Sequence, residues 1–157
     1  MLKARFNSKH TKLTVIFWYA PTEEADEEKK DVFYEQLQAA TEEVPTHDML
    51  LIIGDFNART GNVNVGRESV IGRHGLGSHL MNDNGERMCN FCESNRLVVG
   101  STLFQHRDIY KITWISPDGN TLAQLDHILI NSKWRSSLYY VMSEHTEAQN
   151  AAVTTIW

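Results

Sequence analysis

Cysteine, proline, long apolar runs and basic charge are all scarce in this sequence, and each scarcity removes a class of protein. Two cysteines, Cys89 and Cys92, are too few for a disulfide framework. Three prolines in 157 residues leave no proline-rich linker or disordered tract. No stretch approaches the roughly 20 consecutive apolar residues of a membrane-spanning helix. Lys plus Arg number 15 against 20 Asp plus Glu, a formal net charge of −5. That balance argues against holding nucleic acid mainly by a basic surface, and it leaves room for an enzyme that touches a phosphate locally. The first ten residues carry three basic side chains with no apolar run behind them, so the expectation is an intracellular chain.

What is present is the composition of an ordinary globular protein, 41% apolar and 22% charged, and the length suits one domain over residues 1–157. Residues 12–19, Lys-Leu-Thr-Val-Ile-Phe-Trp-Tyr, form a β-branched and aromatic run of strand length that Pro21 ends. Residues 2–6 pair with it as a hairpin across Asn7-Ser8-Lys9-His10. From residue 26 to 43 the apolar Phe33, Leu37, Ala40 and Val44 recur at helical spacing, and Pro45 closes the helix. Glu23, Glu24, Asp26, Glu27, Glu28 and Asp31 cluster where that helix begins, where carboxylates complement the macrodipole. Residues 49–53 are a short continuous apolar run, the pattern of a buried strand, and strand–helix–strand points to an α/β fold.

Residues 59–82 contain five glycines and little periodicity, so a long loop is expected. Asp83-Asn84-Gly85-Glu86 resembles a capping box opening a helix through residue 95. Cys89 and Cys92 share its apolar face. Cys-x-x-Cys is also the spacing of a redox pair or half a zinc site, but no second pair follows, and His74 and His79 lie upstream in the glycine-rich loop. Further strands are predicted at 97–100, 112–115, 124–130 and 138–142, with a turn or short helix at 133–137.

Three strand ends carry polar groups suited to chemistry. Gly54-Asp55-Phe56-Asn57 follows a buried strand, and in open α/β sheets ligands collect outside the carboxyl ends of strands. Asp55 can accept or deliver a proton there and Asn57 can orient a phosphate oxygen, although Asp-x-Asn is also a common turn signal. Leu125-Asp126-His127 places a carboxylate inside an apolar strand. It either orients a histidine or holds a cation, or is bonded to backbone amides. His127 alternates to the other face and reads as structural. Tyr19 ends the first strand, so Tyr19, Asp55 and Asp126 can converge on one edge.

Tyr19-Ala20-Pro21, Gly54-Asp55-Phe56-Asn57, Thr113-Trp114 and Leu125-Asp126-His127-Ile128 together resemble the endonuclease/exonuclease/phosphatase superfamily. Residues 54–61, 82–91 and 106–130 are similar, more narrowly, to the endonuclease domain of non-LTR retrotransposons and the craniofacial-development-protein-2-like genes derived from it. The resemblance implies a two-sheet α/β sandwich of the DNase I type, Mg²⁺ as cofactor and DNA as substrate. It implies that Tyr19 contacts the phosphate, that Asp55 activates water or protonates the leaving group, and that Asn57 holds the transferring phosphate. Asp126 would orient a catalytic histidine or sit near the metal. Asn84 would be a further substrate contact, with Thr113 and Trp114 supporting the site from the strand beneath. It also implies a metal-binding Glu, a catalytic Asn and a Ser-Asp-His ending. The first two fall ahead of Tyr19, in an N-terminal half absent here. The last falls at Ala152 and Val153, with Ser143-Glu144-His145 a coincidental echo and 151–157 divergent. The expectation is therefore a partial sandwich without its own metal site and without hydrolytic activity, nuclear if functional, with an exposed sheet face prone to self-association. The alternative is a domesticated binding module that keeps the phosphate-binding edge.

Overall fold

The structure, a computed structural model, describes residues 1–7, 9–77, 81–139, 141–145 and 152–156, with the backbone alone for 142–145 and 152–156. Ser8, His79, Tyr140 and the ends of the segment 151–157 lie outside the described residues. So do the side chains of Ser143, Glu144, His145, Ala152 and Val153.

The predicted hairpin is present: β1 (Leu2–Asn7) runs antiparallel to β2 (Lys12–Tyr19). Helix α1 (Glu27–Glu42) then carries the chain to β3 (Met49–Asp55), which lies parallel to β2. After the long loop come α2 (Asp83–Asn95) and β4 (Leu97–Val99). The short strands β5 (Trp114–Ile115) and β6 (Leu122–Ala123) pair with each other. β7 (Asp126–Asn131) is antiparallel to both β3 and β4. A six-residue 3₁₀ turn, Ser132–Ser137, leads to β8 (Val141–His145), which pairs antiparallel with β9 (Ala152–Ile156). The main sheet has the order β1-β2-β3-β7-β4, and two-stranded ladders stand beside it. This is the α/β architecture expected.

Strand alternation sorts the side chains into two layers. Ile16, Leu50, Ile52 and Leu129 face α1 and α2, where they meet Phe33, Leu37, Met88 and Phe91. Ile16, Leu37, Ile52, Met88 and Leu129 are 0% exposed, and burying each is worth about 1.5–3 kcal/mol. Val15, Leu51, Ile128 and Ile130 point to the opposite face, where Leu138, Val141 and Trp134 cover them. That cover stops short of the β1 edge: Leu2, Phe6 and Phe17 on the same face are 62%, 54% and 45% exposed.

Buried charge ties the elements together. Asp48, 0% exposed, accepts hydrogen bonds from Arg5 Nε (2.7 Å) and Nη2 (2.9 Å) and from Thr14 Oγ1 (2.9 Å), fastening β1 and β2 to the start of β3. Lys30 on α1 reaches Asp83 on α2 at 3.0 Å, and Arg87 bonds Glu27, Asp31 and Asp83.

Several expectations need correction. Asn82, not Asp83, caps α2: its Oδ1 accepts from Gly85 N at 2.9 Å, while the Asp83 carboxylate is drawn off to Lys30 and Arg87. The predicted strand 124–130 breaks at Gln124 and Leu125. The Thr113 hydroxyl accepts from Leu125 N (2.8 Å) and Asp126 N (3.1 Å), so a side chain rather than a neighbouring strand takes these backbone donors. The last predicted strand begins at Val141 rather than residue 138. The long loop is pinned at its centre: Val70 and Ile71 are buried, and Ile71 bridges to Val99.

Candidate functional site

The site is built by alternation at the carboxyl ends of β2 and β3. Tyr19 pairs in register with Asp55, and Asp55 with Asp126, so the three lie in one row across β2, β3 and β7. Counting by twos from Val15, Leu51 and Ile128 puts all three on the face opposite the helices. Gly54 makes the close approach of β2 and β3 possible, since a Cβ there would lie 1.8 Å from Trp18 O.

The chain turns sharply at the end of β3. Ala20 N donates to Asp55 O at 2.8 Å, and Asn57 N donates to Asp55 Oδ1 at 2.8 Å. Asn57 adopts a left-handed conformation with φ 48°, which Asn tolerates better than most residues, and its Nδ2 donates to Ala20 O at 2.9 Å. Tyr19, Asp55 and Asn57 line one cleft of about 470 Å³, together with Glu23, Arg59 and Trp114. Tyr19 is 68% exposed and ready to meet a ligand.

Burial pushes the Asp55 carboxyl above the usual carboxylate range, against the opposing bond from Asn57 N. Asp126 is also raised, first by burial and further by the charge of Asp55, with the Thr113 hydroxyl pulling the other way. Two half-buried carboxyls side by side disfavour double ionisation, which suits a group that gives or takes a proton.

His127 belongs to the other face. It is 1% exposed, with Nε2 2.8 Å from Ala58 O and Nδ1 2.8 Å from Ser101 Oγ. A carbonyl only accepts, so Nε2 carries the proton and the Ser101 hydroxyl donates to Nδ1. Burial holds its pKa down at about 4, so the ring stays neutral and structural.

Asn84 is placed differently from the expected substrate contact. It is 1% exposed, and its Nδ2 donates to Pro21 O (3.0 Å) and Asn57 O (3.3 Å), bracing the two turns from behind. Thr113 supports Asp126 as expected, but Trp114, 38% exposed, lines the cleft itself.

Two residues that carry the site escaped the sequence reading. The Asn82 side chain donates to Glu23 Oε2 (2.7 Å) and Asn57 O (3.0 Å) and accepts from Arg59 N (2.8 Å) and Gly85 N (2.9 Å). Glu23 also accepts from Asp83 N and Asn84 N, so its carboxylate sits at the positive end of α2. The acidic cluster reads in sequence as the start of α1 alone, and no local signal separates Glu23 from its neighbours.

Cys89 and Cys92 are free and buried in the core, with burial pushing the Cys89 thiol up to about 11 and Cys92 also well up. Neither suits a redox or zinc role.

The fold matches solved nuclease structures over nearly the whole chain. The endonuclease domain of TRAS1, a telomere-specific non-LTR retrotransposon, superposes with a TM-score of 0.65 at 9% identity, covering 98% of this chain and 60% of that one. The 3'-5' exonuclease NExo of Neisseria meningitidis gives 0.64 at 14% identity, covering 99% and 64%. The chain shares the fold of these nuclease structures. No family model matches the sequence. Craniofacial development protein 2 of Bos taurus and that of Tragulus javanicus are each 44% identical over 138 residues, 88% of this chain. The chain spans 23% of the length of these curated relatives. A further Neisseria structure of the same fold, the 3' phosphatase NExo bound to product DNA hairpin, has a TM-score of 0.64 at 14% identity. No helix among the described residues is long and apolar enough to cross a membrane.

Mg²⁺ is usually held by one or two carboxylates with phosphate and water completing its shell, and Asp55 and Asp126 are hard oxygen donors placed opposite each other. Among the described residues no group of three His, Cys, Asp or Glu forms a fuller cage.

Proposed function

We propose that the strand-end cleft binds the phosphodiester backbone of DNA, and that this chain by itself holds the strand without cutting it. The observation that carries the reading is the cleft lined by Tyr19, Asp55 and Asn57, with Asp126 the register partner of Asp55 behind its lining. In this reading the Tyr19 hydroxyl and the Asn57 amide donate to phosphate oxygens. Asp55, whose carboxyl pKa burial raises above the usual range, stands where it can exchange a proton with a water or a leaving oxygen. Asp126 stands across the β3–β7 pairing from Asp55, whose charge helps to raise the Asp126 carboxyl. Asp55 and Asp126 would hold Mg²⁺, which when bound neutralises charge on the phosphate. The DNA hairpin in the Neisseria phosphatase structure supports DNA as the ligand, and a nuclear location belongs to the same reading.

The lack of cutting is supported by His127. The histidine next in sequence to Asp126 has both ring nitrogens occupied and points to the far side of the sheet, so it cannot relay a proton for Asp55. Groups that act as one catalytic unit lose most of their effect together when one is absent. The exposed apolar strip of Leu2, Phe6 and Phe17 supports self-association of the chain beside the cleft.

The test pairs fluorescence anisotropy on labelled DNA with plasmid nicking in Mg²⁺ or Mn²⁺. Binding without nicking above background is expected. Nicking that disappears in Asp55→Ala would refute the non-cutting reading, and absence of binding would refute DNA as the ligand.

A further inference from the structure

A polyanion does not settle among carboxylates unless a cation meets it, and the cleft is lined by Glu23, Glu24 and Asp55. Among the described residues that line it, Arg59 is the one basic side chain. Its backbone is clamped: Arg59 N donates to Asn82 Oδ1 at 2.8 Å, and Arg59 O accepts from Asn82 N at 3.3 Å. A Cβ on Gly85 would stand 2.2 Å from that carbonyl, so α2 starts hard against it. The guanidinium, by contrast, forms no hydrogen bond or ion pair among the described residues, unlike those of Arg5 and Arg87. Two of the nearby carboxylates are already engaged, Glu23 with the first turn of α2 and Asp55 with Asn57 N.

Arg59 also borders a second, small cavity of about 20 Å³, and the wall of that cavity includes Gln124. Gln124 is 8% exposed, and its Oε1 is a buried acceptor with no partner among the described residues. Leaving such an acceptor unmet is costly, and a guanidinium has five N–H donors in a planar fork. One edge of the fork turned to Gln124 Oε1 leaves the other edge for two parallel bonds to a phosphate.

We propose that Arg59 is the phosphate-binding cation of the cleft and that Gln124 is its positioning residue, the ligand being a phosphate of a polynucleotide strand. The proposal rests on the DNA-binding reading of the cleft, which it deepens by naming the group that meets the charge.

The experiment titrates a fluorescein-labelled DNA duplex by anisotropy at graded salt. It compares the whole chain with Arg59→Gln, Arg59→Lys and Gln124→Leu, with melting curves on each. In parallel, the Arg Nε–H resonances of the unaltered protein are followed as inorganic phosphate is added. Arg59→Gln should weaken binding about tenfold, the worth of one charge-assisted contact, and reduce the slope of log affinity against log salt by about one. Arg59→Lys should keep the slope and lose part of the affinity. Gln124→Leu should weaken binding a few-fold with the slope unchanged, which general loosening of the fold would not do. The Arg59 resonance should move with phosphate. If DNA is bound and Arg59→Gln binds it equally with the same slope, the proposal is overturned while the DNA reading stands. If DNA is not bound yet phosphate moves the Arg59 resonance, the DNA reading fails and the phosphate site stands. An Arg59 resonance indifferent to phosphate overturns the proposal even where Arg59→Gln fails to fold.

Discussion

Replacing Asn82 by Ala removes the side chain on which the cleft is assembled, and the structure sets the size of the loss. Its Oδ1 satisfies two backbone donors, Gly85 N at the start of α2 and Arg59 N beside the cleft. Its Nδ2 satisfies Glu23 Oε2 and Asn57 O. Loss of a helix cap costs about 1 kcal/mol, and each further hydrogen bond is worth about 0.5–1.5 kcal/mol. Asn82 is only half buried, so water recovers part of this, and the expected net loss is about 2–4 kcal/mol. For a chain of this size that lowers the melting midpoint by roughly 5–15 °C. Thermal and urea unfolding followed by circular dichroism measure it. Asn82→Asp separates the two halves of the side chain: it keeps the acceptor but sets a carboxylate against Glu23. It should therefore fall between wild type and Ala at neutral pH. An Ala variant melting within about 2 °C of wild type would refute the four-bond accounting. An Asp variant as stable as wild type at neutral pH would refute the contact to Glu23.

Asp126→Asn should stabilise the fold at neutral pH. A carboxyl whose pKa is raised on folding contributes stability below its unfolded pKa and loses it as pH rises through the folded value, so the advantage should shrink in acid, as melting curves across pH will show. Asp48 is the opposite case: the Arg5 guanidinium lowers its pKa to about 2, so its contribution is present above about pH 4 and is lost as pH falls towards 2, and Asp48→Asn should abolish that acid-dependent part. Cys89 and Cys92 should ignore a thiol reagent such as Ellman's until the chain is unfolded, and labelling of the native protein would contradict their burial. Phe17→Lys should reduce hydrophobic-dye binding and self-association while leaving the melting midpoint nearly unchanged, because Phe17 is already 45% exposed; unchanged sedimentation would count against the open face as the contact.

The parts of the fold legible in the sequence are those written in local periodicity. The spacing of Phe33, Leu37 and Ala40 gives α1, and the runs at 12–19 and 49–53 give β2 and β3. Pairing contacts made far along the chain leave no such mark. The break between β6 and β7 depends on the Thr113 hydroxyl taking backbone donors 12 and 13 residues away. Val70 and Ile71 read as two apolar residues in a glycine-rich loop, yet they are core, because the bridge to Val99 brings them in. Neighbouring Asn82 and Asp83 are both good caps by type, and only the ion pairs of Asp83 to Lys30 and Arg87 decide between them.

The same division runs through the site. The faces taken by Tyr19 and Asp55, which close β2 and β3, and by Asp126, which opens β7, follow from the two-residue period of a strand. No such period marks Asn82 and Glu23, which meet across 59 residues of sequence. The amides show what this arrangement achieves. Asn84 spends its nitrogen entirely behind the cleft, on Pro21 O and Asn57 O. Asn57 spends one of its two amide hydrogens on Ala20 O, which leaves the second for a ligand. The Asn57 carbonyl, gripped by both Asn82 and Asn84, cannot rotate without breaking two bonds, so the strained left-handed turn is held from outside. Two asparagines thus hold the third in place, and a substitution behind the cleft should disturb Asn57 as surely as one within it.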